Sequence, residues 1–293
     1  MAELTLDTYR NEYPEIREDF TVPQRWRDYS AEEHAVWNTL GSRQGLLLPG
    51  LACEEFMQGL ATLGLRSSGI PDFEKLSATL QQATGWQVVA VPGLVPDEVF
   101  FEHLANRRFP ASRFIRSREQ LDYLQEPDIF HDVFGHVPML MHPVFADYME
   151  AYGKGGLRAQ GLGMLRQLAR LYWYTVEFGL LRTPEGLRIY GSGIVSSASE
   201  SVFSLEDTSP NRVGFDLIRV MRTDYRIDDF QQTYFVVDSF EQLLRETAER
   251  DFAPVYEQLR ALPDLAPDAI DGNDEVLQRG TQRYAQSRAR DRA

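Results

Sequence analysis

His131 and His136 stand five positions apart in His131-Asp132-Val133-Phe134-Gly135-His136-Val137-Pro138, a mostly apolar run that holds two of only five histidines in the chain. Imidazole is the commonest metal ligand among side chains. Two imidazoles converging from one short apolar segment point to a metal site. The third ligand decides the chemistry. A carboxylate with open coordination positions suits non-haem Fe(II) and oxygen. Three protein ligands plus one water suit zinc and hydrolysis. On an ideal helix five residues turn the chain by about 140°, so the two rings would not share a face. The zinc-protease pattern, two His at i and i+4 with an intervening Glu, is absent. Gly135 and Pro138 instead predict a helix that distorts or ends near the second His. Spacing alone equally allows two core histidines in ordinary hydrogen bonds.

The elements that must position this segment are mostly helical. Ser30-Ala31-Glu32-Glu33 is a capping box opening a helix through about Leu40. Glu54–Leu63 and Phe73–Ala83 carry apolar residues at helical spacing, and Gly85 stops the second. Trp86 to Val91 reads as a short strand, and Pro96 starts another helix through Asn106. An apolar-rich helix is expected over Met164–Leu181, ending before Pro184. Leu187–Tyr190 and Thr233–Val237 are strand candidates, and Phe240–Arg250 and Val255–Leu262 amphipathic helices. The expected fold is mainly α with short β-strands and one catalytic domain over residues 30–266. Residues 1–29 form an N-terminal arm, where Pro14 and Pro23 oppose a long helix. The polar tail, 267–293, is expected to fray.

Composition narrows the function. Of 293 residues 43% are hydrophobic, enough for a sizeable core. The net charge of -14 repels nucleic acid and anionic lipid, so neither is an expected partner. Cys53 is the sole cysteine, which excludes an intrachain disulfide and a Cys-rich metal site and fits a reducing cytoplasm. No apolar run approaches the roughly 20 residues of a membrane helix. The start, Met1-Ala2-Glu3-Leu4, lacks the basic and apolar regions of a signal peptide.

Glu177 is the candidate third ligand. It sits within Tyr172-Trp173-Tyr174-Thr175-Val176-Glu177-Phe178-Gly179-Leu180, where a carboxylate is costly unless paired or metal-bound. A buried salt bridge to an arginine is the structural alternative. Two neutral His and one Glu would make the facial triad of a non-haem Fe(II) oxygenase.

Arg116, Glu126-Pro127-Asp128, His131 through Leu140, Tyr172 through Leu180 and Tyr190-Gly191-Ser192-Gly193 occur in this order. Together they resemble the pterin-dependent aromatic amino acid hydroxylases, from about Gly85 to Phe240. The family pattern H-x-x-x-G-H-V-P and the later T-V-E-F-G-L both run unbroken. The resemblance implies a hydroxylase that joins L-phenylalanine, O2 and a tetrahydropterin (tetrahydrobiopterin or a relative) at Fe(II). It implies His131, His136 and Glu177 as the iron ligands.

Further roles follow by the same resemblance. Arg116 matches the arginine that holds the substrate carboxylate, which a guanidinium can fork bidentately. Asp128 matches its acidic support. Ser196, Ser197 and Glu200 match a hydrogen-bonding floor near substrate and His ligands, although a Ser-Ser pair alone reads as a turn or helix cap. Phe100 matches the ring on which the pterin stacks, and Gly93, Leu94 and Val95 the loop that reads the pterin edge. Ala169 and Tyr172 match positions facing the cofactor. Asp132 stands where many relatives carry Glu, one methylene longer. Trp173, and Val236 in Tyr234-Phe235-Val236-Val237-Asp238, match members of the family that act on phenylalanine. The chain resembles the short bacterial form, without a regulatory domain or heptad-bearing tail, and is expected to be a monomer. A zinc hydrolase using the same ligands would lack its general base here. A non-catalytic relative would be expected to have lost a ligand or Arg116, and both are retained.

Overall fold

The computed structural model describes residues 5–122, 124 and 126–291. Residues 1–4 of the expected arm and 292–293 of the expected tail lie outside the described residues. Two compact units can be distinguished, Met1–Pro49 with Glu54–Gly161, and Gly50–Cys53 with Leu162–Ala293. Among the described residues no helix is long and apolar enough to cross a membrane.

The first unit is built largely from helices. The Ser30 hydroxyl accepts from Glu33 N–H at 3.2 Å and the Glu33 carboxylate accepts from Ser30 N–H at 2.7 Å, so the capping box forms as the sequence predicts. Its helix runs over Ala31–Leu47 rather than stopping near Leu40. Within it, a Cβ at Gly41 would lie 2.1 Å from the Arg66 carbonyl oxygen, so packing requires the glycine. Helices Glu54–Thr62 and Phe73–Thr84 match the apolar spacing, with Gly85 ending the second at φ 77°, and helix Asp97–Ala105 follows Pro96 as expected. Strands β1 (Gln87–Val91) and β2 (Arg108–Ser112) pair in parallel, Gln87 against Arg108 and Val91 against Ser112. Helix Asp97–Ala105 makes the crossover that a parallel pair needs. Trp37, Phe56, Leu80, Trp86 and Leu104, all fully buried, form much of the core.

The second unit carries a five-stranded sheet. Its strands are β3 (Leu180–Thr183), β4 (Gly186–Ile189), β5 (Asn211–Gly214), β6 (Thr233–Val237) and β7 (Val276–Gln278), in the order β4-β3-β6-β5-β7. The helix expected over Met164–Leu181 is shorter. It spans Leu165–Tyr172, continues as a π-helix over Trp173–Glu177, and gives way to β3. Leu180 and Leu181 pair with Val236 and Val237 in the sheet interior. A short apolar run does not reveal whether a helix or a strand buries it, and here sheet pairing does. The segment from 267 onward, expected to fray, supplies β7 against β5 and a helix over Arg283–Asp291. A buried pair, Arg219 Nε to Asp274 Oδ1 at 2.8 Å, ties that segment down.

Candidate metal centre

Both segments that carry the candidate ligands are π-helical. The first covers Phe130–His136 and the second Trp173–Glu177. A π-helix bonds i to i+5, which brings residues five apart onto one face, and such turns recur at functional sites. This is the distortion that the His131–His136 spacing called for. The two imidazole centroids lie 5.1 Å apart at 86°. Pro138 follows directly and has no N–H to continue the ladder, and the chain tightens to a 3₁₀ turn over Val137–Met141. The opposite side of the π turn is core. Phe130 stacks on Phe134 at 4.6 Å and meets Trp37 edge-on at 5.2 Å.

Asp128 organises the approach to His131. It is fully buried and forks with Arg116, accepting from Nε at 2.8 Å, Nη2 at 2.8 Å and the Arg116 backbone N–H at 2.9 Å. It also accepts the His131 N–H at 3.1 Å. Burial alone pushes this carboxyl up. The hydrogen bonds and charge of Arg116 outweigh that, and hold Asp128 below its ordinary range. The Nε edge of Arg116 is thereby committed to Asp128. Asp132 turns elsewhere, its Oδ2 accepting from Ser112 N–H at the end of β2 at 2.6 Å. Gly93 lies against the segment leading to Asp128, since a Cβ there would be 2.7 Å from Glu126 Oε1. The Leu94 carbonyl accepts from Tyr9 OH at 2.8 Å, and Leu94 itself is 48% exposed. Val95 and Phe100 are half-buried, Phe100 edge-on to Phe101 at 6.0 Å.

In the second unit Glu177 is held by a residue that sequence reasoning passed over. Ser192 Oγ lies 2.8 Å from Glu177 Oε2 and 3.2 Å from the Val176 carbonyl. The close approach depends on Gly191, where a Cβ would fall 2.5 Å from the Glu177 carbonyl oxygen. The signal was present, because Ser192 lies inside the quoted Tyr190–Gly193 motif. Ser196 Oγ donates to the Ser192 carbonyl at 2.7 Å. Ser197 caps helix Ala198–Glu206 by accepting from Glu200 N–H at 3.3 Å, the plainer of its two expected roles. Ala169 and Tyr172 share one face of helix Leu165–Tyr172, three residues apart. Trp173 stacks on Tyr225 at 4.3 Å and donates to Gln231 Oε1 at 2.9 Å. Val236 is fully buried in β6.

Glu200 is buried and accepts from Tyr234 OH. Burial pushes its carboxyl up to about 7, and the hydrogen bonds from Tyr234 and the Gln231 N–H pull back only part of the way. The folded pKa therefore lies above the ordinary 4.5, so the folded form keeps a proton that the unfolded chain releases. This stabilisation is complete below pH 4.5 and is lost as pH rises through about 7. Glu200→Gln lacks the effect. Across that window the wild-type Tm should fall relative to the variant by on the order of 5 °C. Parallel melts at pH 5 and pH 8 test this, and an unchanged difference would refute it.

A family model described as biopterin-dependent aromatic amino acid hydroxylase matches residues 8–260. The chain belongs to this family. Among hydroxylases of the family, the phenylalanine-4-hydroxylase of Ralstonia nicotianae is 66% identical over 267 residues, 91% of this chain and 85% of the relative. Two crystal structures of phenylalanine hydroxylase from Chromobacterium violaceum each cover 94% of this chain and 100% of their own at a TM-score of 0.87. One, 57% identical, has iron and phenylalanine bound. The other, 58% identical, has iron(III) and oxidised 7,8-dihydrobiopterin. The hydroxylase fold is thus the mainly helical one with short strands that the sequence led us to expect.

Proposed function

We propose that this hydroxylase converts L-phenylalanine to L-tyrosine with O2 and a tetrahydropterin at Fe(II) held by His131, His136 and Glu177. One observation carries the reading. Each of these residues offers one ligand atom, and the three atoms lie within 4.8 Å of one another. Two neutral imidazoles and one carboxylate fit iron with open positions, and nothing in the set favours a closed structural zinc site. When bound, iron and the reduced pterin together activate O2, one oxygen atom entering the substrate ring and the other the pterin.

The chain's own residues bind, orient and shield. Arg116 keeps its Nη1 end for the substrate carboxylate, while Asp128 fixes the guanidinium in place. Phe100 and the Gly93–Val95 loop are suited to a flat heterocycle, with Ala169, Tyr172 and Asp132 toward the cofactor. Ser196 and Ser197, with Glu200, support the substrate region. Trp173 and Val236 wall the aromatic side chain with apolar surface. Holding reactants in place and keeping water out are the protein's part, and the cofactors carry the hard chemistry. We further propose a cytoplasmic monomer, in keeping with the acidic composition and single cysteine.

The test is anaerobic reconstitution with Fe(II), then O2 and tetrahydropterin, with product analysis on three amino acids. The expected order of kcat/KM is phenylalanine, then tryptophan, then tyrosine. The tyrosine hydroxyl would enter an apolar pocket unpaired, at about 1–3 kcal/mol or roughly tenfold to a hundredfold in rate. Greater efficiency on tryptophan or tyrosine would overturn the substrate reading. Zinc-dependent hydrolysis without O2 uptake would overturn the oxygenase reading.

A further inference from the structure

The indole of Trp173 is held by a single amide. Trp173 Nε1–H donates to Gln231 Oε1 at 2.9 Å, and Gln231 is only 3% exposed. An indole N–H can only donate, which settles which end of the amide faces it. The other end is used as well, Gln231 Nε2 donating to the Arg226 carbonyl at 2.9 Å and lying 3.4 Å from that of Asp229. The Gln231 backbone N–H points to Glu200 Oε1 at 3.5 Å. Ring contacts constrain the indole plane, with Tyr225 at 4.3 Å and 15° and Phe178 at 4.8 Å and 38°. Such contacts still let a ring slide or turn within its plane. A directional hydrogen bond to a buried, doubly anchored amide removes that freedom.

The segment bearing Gln231 is itself braced. Asp229 accepts from Tyr284 OH at 2.9 Å, and Phe230 packs on Tyr284 and Phe203 at 5.1 and 4.4 Å. The two residues before Gln231 are therefore anchored to structure independently of Trp173.

Resting on the phenylalanine reading above, we propose that Gln231 is a positioning residue that fixes the Trp173 indole and so sets discrimination among aromatic amino acids. It acts through Trp173. Loosening the indole widens the pocket wall and should favour the larger substrate.

A double-mutant cycle on the iron-loaded enzyme tests this, with wild type, Gln231→Met, Trp173→Phe and the double variant. Gln231→Met is expected to lower the phenylalanine-to-tryptophan ratio of kcat/KM by at least about fivefold. It should also alter the near-UV circular dichroism of the indole while the far-UV spectrum is kept. In the Trp173→Phe background, which has no indole N–H, Gln231→Met should change the ratio by less than about twofold. An unchanged ratio, or an equal drop in both backgrounds, overturns the proposal. If Gln231→Met fails to fold, the wild type still decides. The Trp173 indole N–H resonance, assigned by its loss in Trp173→Phe, should be protected from hydrogen exchange, and fast exchange there overturns the proposal. Should the wild type not hydroxylate phenylalanine, the substrate reading falls, whereas indole protection still reports on the positioning by itself.

Discussion

Glu177→Ala is expected to weaken Fe(II) binding by at least about a hundredfold, and turnover by at least the same factor. Removing an outer-shell partner of a ligand already costs 10- to 100-fold in affinity or activity, and here an anionic ligand itself is removed. The fold should survive. Glu177 is half-buried, and the alanine variant leaves Ser192 Oγ with the Val176 carbonyl at 3.2 Å as an alternative acceptor. Equilibrium dialysis against Fe(II) with metal analysis, run beside circular dichroism, separates metal loss from unfolding. Stoichiometric iron with full turnover in this variant would remove Glu177 from the triad. Ser192→Ala is a useful control. It releases the carboxylate orientation without removing the ligand, so its effect should be smaller.

The second large effect is expected at Arg116. Arg116→Lys keeps the charge but loses the fork, and the KM for phenylalanine should rise by at least about tenfold, or roughly 1.4 kcal/mol. Arg116→Ala should do something further. Asp128 is fully buried, with its charge compensated by Arg116 at 2.8 Å. Breaking such a pair from one side costs about 3–5 kcal/mol, because the remaining charge is stranded. The alanine variant should therefore unfold at clearly lower urea, whereas the lysine variant should lose far less. The pH dependence gives an independent check. Asp128 is held below the ordinary carboxylate range, so its pairing stabilises the wild type above that range and is lost as pH falls through the depressed value. Arg116→Ala should flatten this acid limb. An unchanged KM in the lysine variant would refute the substrate role, and an unchanged urea midpoint in the alanine variant would refute the buried-pair account.

The candidate donors could be named from the chain itself. Two imidazoles in an apolar run and a carboxylate in a second such run are choices of residue type, and residue type sets which metal and reaction are feasible. Ordered motifs from Arg116 to Tyr190–Gly193 supplied the family. Short-range signals with a local cause also held up: the Ser30–Glu33 capping box, the stop at Gly85 and strand Thr233–Val237. Each depends on interactions only a few residues apart or on a strong local preference.

Tertiary structure decided how those candidate donors are presented. Regular helical spacing would have put His131 and His136 about 140° apart. The π turn that brings them together joins a local cause, the missing donor of Pro138, to a tertiary one, the packing of Phe130 on Trp37 and on Phe134. The apolar run after Glu177 becomes a strand because Val236 and Val237 offer a partner from more than fifty residues away. Ser192 reaches Glu177, and Gln231 reaches Trp173, across fifteen and fifty-eight residues, where hydrophobic periodicity carries no information. The tail looked too polar to hold a place, yet it is secured by directional pairs such as Arg219–Asp274 and by the packing of Tyr284 on Phe203 and Phe230. A hydrogen bond between distant residues leaves no periodic trace in either segment, and that is why only the folded chain revealed it.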